Sequence, residues 1–147
     1  MKHSDERELP WTAEQMFDLV ADIGAYPEFL PWCAAARIRD RHETETGTLI
    51  DADLVVAFKV FRERFGSRVL LDRETRTITT DYIDGPFKHL HSVWRFVDRA
   101  DGGSGVAFSV DFEFRNFVLQ KLIGLMFNEA MQRIVGAFEA RARQLYG

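Results

Sequence analysis

VAFSVDFEFRNFVLQKLIGLMF, residues 106–127, changes its period half-way along. In the first part Val106, Phe108, Val110, Phe112 and Phe114 alternate with Ser109, Asp111, Glu113 and Arg115. One apolar and one polar parity predict a strand with a buried face and a wet face. From Phe117 the apolar residues recur at spacings of three and four: Leu119, Ile123, Met126, Phe127, Ala130, Ile134, Ala137, Phe138 and Leu145. That helical period lasts to Tyr146, and such a helix runs about 45 Å at roughly 1.5 Å per residue. A half-buried strand leading into one long amphipathic helix predicts an α+β domain, the helix lying over the apolar face of an antiparallel sheet.

The alternation repeats upstream. Ala52, Leu54, Val56 and Phe58 oppose Asp51 and Asp53, and Phe61, Phe65, Val69 and Leu71 oppose Arg62, Arg64 and Arg68. Ile78 and Tyr82 alternate with Thr79 and Asp81, and Leu90, Trp94 and Phe96 form a further set. DGGSG, 101–105, reads as a strand-to-strand turn. Thr12 is an N-cap for a short helix over about 13–22, and Pro27 and Pro31 bracket a brief helix at 27–30. The expected order is a short strand, two small helices, about six strands and the long C-terminal helix.

The 147 residues make one domain, 1–147, able to bury a core without staples. Thirteen Phe is a large number for this length and points to a crowded core or a held apolar ligand. Nineteen basic against 23 acidic residues give a charge of −4, a weak argument against nucleic acid, and no DNA partner is expected. Cys33 is the only cysteine, which excludes an intrachain disulfide and a cysteine zinc site. MKHSDERELPW has no apolar stretch of signal-peptide length, and the longest apolar run near the C-terminus, LIGLMF, falls short of the roughly 20 residues that span a bilayer. The location expected from these features is the cytoplasm, peripheral to the inner face of a bacterial cell membrane where the protein meets lipid.

YPEFLPWC (26–33), DGPFKHLHSVWRF (84–96) and FEARARQLYG (138–147) closely resemble the coenzyme Q-binding START-domain proteins, also described as polyketide cyclase/dehydrase-like or ribosome-association-toxin-like. The similarity runs from about Glu8 to Gly147. The resemblance implies the helix-grip fold of the START-like superfamily: a curved antiparallel sheet of about six or seven strands wrapped around a long C-terminal helix, with two short helices near the N-terminus. It also implies a cavity between sheet and helix for ubiquinone or a related polyprenyl quinone, held as a ligand for delivery to respiration or quinone biosynthesis. No cofactor is required. Two other roles stay open: inhibition of subunit association by binding the large ribosomal subunit, and a polyketide aromatase/cyclase.

On that reading the cavity is lined by Leu54, Val56, Phe58, Phe65, Val69, Tyr82, Trp94, Phe96, Phe108, Val110 and Phe112 and closed by Leu122, Ile123, Met126 and Phe127. Leu122, Leu125 and Met126 lie partly off the core stripe and widen the apolar arc into a mouth that can touch a membrane. Gly124 in its midst permits bending. Tyr26, Phe29 and Trp32, stiffened by two prolines, form an aromatic lid.

Glu63 shares parity with Phe61 and Phe65. It is either solvated at a strand end or turned inward against a quinone head group. Ser67, Thr80, Tyr82 and Ser92 are polar residues of inward parity on which a cyclase-type proton transfer would rest. No nucleophile elbow, P-loop, dinucleotide fingerprint or pair of catalytic carboxylates is present, so no catalytic residue is named. His89 and His91 have no completing ligands for a metal. Arg62, Arg64 and Arg68 are expected to be answered by acids across strands, with anionic lipid or ribosomal RNA as the alternative.

Overall fold

The computed structural model describes residues 1–147. Seven strands form one antiparallel sheet: β1 Lys2–Leu9, β2 Cys33–Glu43, β3 Thr48–Phe58, β4 Phe61–Asp72, β5 Thr77–Asp84, β6 Phe87–Asp98 and β7 Ser104–Phe114. Their order is β1-β7-β6-β5-β4-β3-β2, so five successive hairpins build the sheet and the N-terminal strand returns to cover the far side of β7. Helix α1 (Ala13–Ala21) and a 3-10 helix (Ile23–Glu28) link β1 to β2, and α2 (Phe117–Tyr146) lies across the concave face. The expected helix-grip architecture is present.

Local chemistry explains where the helices start. Thr12 and Gln15 form a reciprocal capping box at α1, each side chain bonding the other's backbone. Asn116 accepts from the Leu119 N–H at 3.0 Å and turns β7 directly into α2. The brief helix expected at 27–30 lies earlier, at Ile23–Glu28. Pro27 sits inside it because so short a 3-10 helix needs few bonds, and Ala25 N–H to Asp22 and Phe29 N–H to Tyr26 supply two of them.

The two parities separate as the sequence predicts. On the convex face Arg68 makes a two-point pair with Asp51, its directly opposite partner, at 2.8 and 3.0 Å. Arg64 bridges Asp53 at 2.6 Å and Asp84 at 3.2 Å. His89 and His91 each meet a carboxylate, Asp111 and Asp81, at 3.1 and 2.7 Å. Arg64 and Arg68 thus have the cross-strand partners expected of them, and Arg62 is exposed.

On the concave face the apolar residues form two clusters. Met16 and Phe17 of α1 pack with Ile50, Ile78, Trp94, Phe96 and Phe138 at one end. Phe65, Phe87, Phe112, Phe114, Leu119 and Met131 pack at the other. The turn between β5 and β6 joins the second cluster to the sheet. Gly85 there has φ +135°, and a Cβ on it would lie 2.7 Å from that of Phe65. Only glycine lets that hairpin close against a buried ring.

Candidate functional site

Between the two clusters the sheet and α2 do not meet, and two cavities fill the gap. One, of about 210 Å³, is lined by hydrophobic side chains alone. The other, of about 260 Å³, lies toward α1 and the 3-10 helix. They share Trp32, Val56, Phe65, Leu90, Val110 and Ile134 as wall residues and are two chambers of one cavity. Together they fall in the range of small-molecule sites. Neither wall contains a charged side chain.

Most of the expected lining is in place. Phe58, Phe112, Ile123 and Met126 line the apolar chamber. Leu54, Val69, Trp94 and Phe108 line the second, and Val56, Phe65 and Val110 line both. Four expected residues are elsewhere. Phe96 is buried between Trp94 and Phe17, because α1 covers its end of the sheet. Tyr82 packs edge-on to Phe87 at 5.6 Å, and its hydroxyl accepts from the Phe87 N–H at 3.1 Å. Phe127 stands against Phe112 and His3, and Leu122 is half-buried off the wall.

The position of Phe127 follows from a break in α2. Met126 has φ −127° and ψ 19°, which divides the helix two residues after Gly124 and turns Met126 rather than Phe127 into the cavity. The bending expected at the glycine is thus realised two residues further on.

The lid divides into three roles. Trp32 lines both chambers, stands edge-on to Phe58 at 5.7 Å and lies under the Arg133 guanidinium at 5.2 Å. Its φ of 64° is unusual for so bulky a residue and costs about 1–3 kcal/mol. A hydrogen bond from Ala57 N–H to its carbonyl at 2.9 Å helps hold it there. Tyr26 is in the wall of the second chamber, and its hydroxyl donates to the Val20 carbonyl. Burial, with smaller contributions from Cys33 and Asp22, pushes its phenol well above the ordinary value, so it stays neutral. Phe29 lines neither chamber and packs edge-on to Phe138, a wall residue of the second, at 5.3 Å.

Glu63 is exposed and lines neither chamber, although it keeps the parity of Phe65 and pairs with Val56. It lies near the end of the β3–β4 hairpin.

Several wall residues were not singled out for the cavity: Phe87, Leu90, Phe114, Ala130, Met131 and Ile134 among them. Leu90 and Phe114 follow the inward parity of their strands and Ile134 the helix stripe, so the signal was present. Phe87 was hidden by a register shift between it and His89. Cys33 also lines the second chamber, and burial raises its thiol above the ordinary value.

A family model for polyketide cyclases/dehydrases and lipid transport matches residues 9–139, almost the whole of this sheet, cavity and helix. The chain belongs to that family. Within the polyketide cyclase/dehydrase and lipid transport family it is 39% identical over 140 residues to the ribosome association toxin RatA of Rickettsia prowazekii, covering 93% of this chain and 92% of that protein. It is 31% identical over 152 residues to the mitochondrial coenzyme Q-binding protein COQ10 homolog B of Xenopus laevis, covering 100% of this chain and 60% of that protein. A START-superfamily structure from Mycobacterium smegmatis is 21% identical, covers 98% of both chains with a TM-score of 0.81, and shares the fold.

Proposed function

We propose that this chain binds a polyprenyl quinone, with the ubiquinone type as the reference ligand, and carries it between membrane and protein. The observation that supports this reading is a continuous, uncharged cavity whose apolar chamber reaches the break in α2. Beside that break Leu125 is 82% exposed, and Val60, at the tip of the hairpin bearing Phe58, is 92% exposed. Exposed apolar residues next to an apolar opening suit brief contact with a bilayer. The quinone would enter there, past Met126 and Phe58.

The energies are adequate. Burying one five-carbon isoprene unit contributes about 3–4 kcal/mol. Two or three units give about 6–12 kcal/mol before the losses of association, compatible with micromolar binding. The cavity need not enclose a whole tail.

Quinones quench tryptophan fluorescence at short range, and Trp32 and Trp94 both lie in the wall. Titration with a short-tailed ubiquinone is expected to quench the protein saturably, and Trp32→Phe to remove a large part of the signal. Quenching that never saturates, or that a Trp11→Phe variant removes instead, contradicts the reading.

A second reading, binding of the large ribosomal subunit, is favoured by the name of the Rickettsia relative. Arg64 and Arg68 would have to leave Asp53, Asp84 and Asp51 to meet phosphate. Its test is cosedimentation with ribosomal subunits that weakens steeply with salt.

A further inference from the structure

Both chambers are without charge, yet only one is without polar groups. Ser67, Thr80 and Ser92 line the second chamber and stand in a row across β4, β5 and β6. Thr80 and Ser92 are directly opposite in the register, and Ser67 lies two positions along β4 from Val69, the partner of Thr80. Hydroxyls directly opposite on one sheet face can bond each other across the strands. Thr80 and Ser92 do not, and neither side chain has any hydrogen-bond partner in the protein. Ser67 is 1% exposed, and its hydroxyl reaches only the Ala52 carbonyl, at a long 3.5 Å. Thr80 and Ser92 are half-buried, and an apolar wall would be better packed with Val and Ala at these places, because a hydroxyl covered by an apolar ligand without a partner is costly.

We propose that Ser67, Thr80 and Ser92 form a head-group subsite: they donate hydrogen bonds to the carbonyl or phenolic oxygen of a ligand whose apolar tail occupies the other chamber. The ligand therefore enters head first, passes Trp32 at the junction of the chambers and leaves its tail toward the break in α2. The head group is uncharged. A carboxylate or phosphate brought against Ser67, Thr80 and Ser92 would find no counter-ion in the wall, so a neutral head group is favoured there over an anionic one. The subsite rests on the quinone reading above and gives it an orientation.

The test uses the intact protein and the double variant Thr80→Val, Ser92→Ala, two near-isosteric changes that leave the buried Ser67 in place. Binding of ubiquinone with two isoprene units is compared with that of a branched hydrocarbon of matching tail length, by displacement of the fluorescent apolar probe N-phenyl-1-naphthylamine. The variant should bind the quinone about tenfold more weakly and the hydrocarbon within about twofold of the parent. In the parent, the infrared carbonyl band of bound quinone should lie below its position in hexane.

An unshifted band, an unchanged quinone affinity, or equal losses for both ligands overturns the subsite while leaving an apolar carrier standing. If the parent binds neither ligand, the subsite and the quinone reading fall together. The infrared measurement needs no variant, so poor folding of the double variant does not remove the test.

Discussion

Ala130 is buried in α2 and lines the apolar chamber, which makes it the place to fill the cavity from within. Ala130→Leu adds three carbons. At about 0.8 kcal/mol per methylene their burial is worth up to about 2.4 kcal/mol, and imperfect fit removes about half. The empty protein is therefore expected to gain about 1 kcal/mol, or about 2–4 °C in Tm. The same three carbons occupy space for most of one isoprene unit, so quinone loses up to about 2.4 kcal/mol, roughly 50-fold in affinity. The two effects have opposite signs. Differential scanning calorimetry of the empty protein and tryptophan-quenching titration of the same samples read both. A higher Tm with unchanged quinone affinity refutes the idea that the tail lies in this chamber.

Gly85→Ala meets both a positive φ and the Phe65 Cβ at 2.7 Å, and is expected to cost at least about 2 kcal/mol in urea unfolding. Asn116→Ala removes the cap that starts α2 and should cost about 1 kcal/mol by the same assay. The Asp51 carboxyl is held below its ordinary 3.8, chiefly by the hydrogen bonds from Arg68. A lowered native value gives stability that is present above 3.8 and is lost as pH falls through the lower value. Asp51→Asn should flatten the fall in stability below about pH 4, and an identical slope in parent and variant contradicts that cause.

The strands with one wet face were readable because their parity survives folding intact. Asp51 and Asp53 lie on the convex face, and Ile50, Ala52 and Leu54 on the other. The switch at Asn116 from period two to a helical period gave the layer order as well. The second strand is different. Arg37–Glu43 is exposed on the sheet edge and is broken by shifts between Cys33 and Ala35 and between Ile38 and Asp40, so no alternation marks it.

The cavity was legible as a face and illegible as a boundary. Parity places Phe96 and Phe108 alike, and only α1 packing over one end of the sheet decides that Phe96 is core and Phe108 is wall. Likewise the helical stripe, which brings both Met126 and Phe127 to the cavity, cannot foresee that a break at Met126 keeps the first on the wall and leaves the second off it. The left-handed turn at Trp32 has no sequence signal, because bulky residues avoid it.

The central claim is that this cavity holds a quinone. Protein purified without detergent, extracted with organic solvent and analysed by mass spectrometry beside an unrelated protein of similar size, tests it most directly. Near-stoichiometric ubiquinone or menaquinone is expected in the extract, or stoichiometric uptake after incubation with quinone-loaded vesicles. An extract that stays empty after that incubation contradicts it.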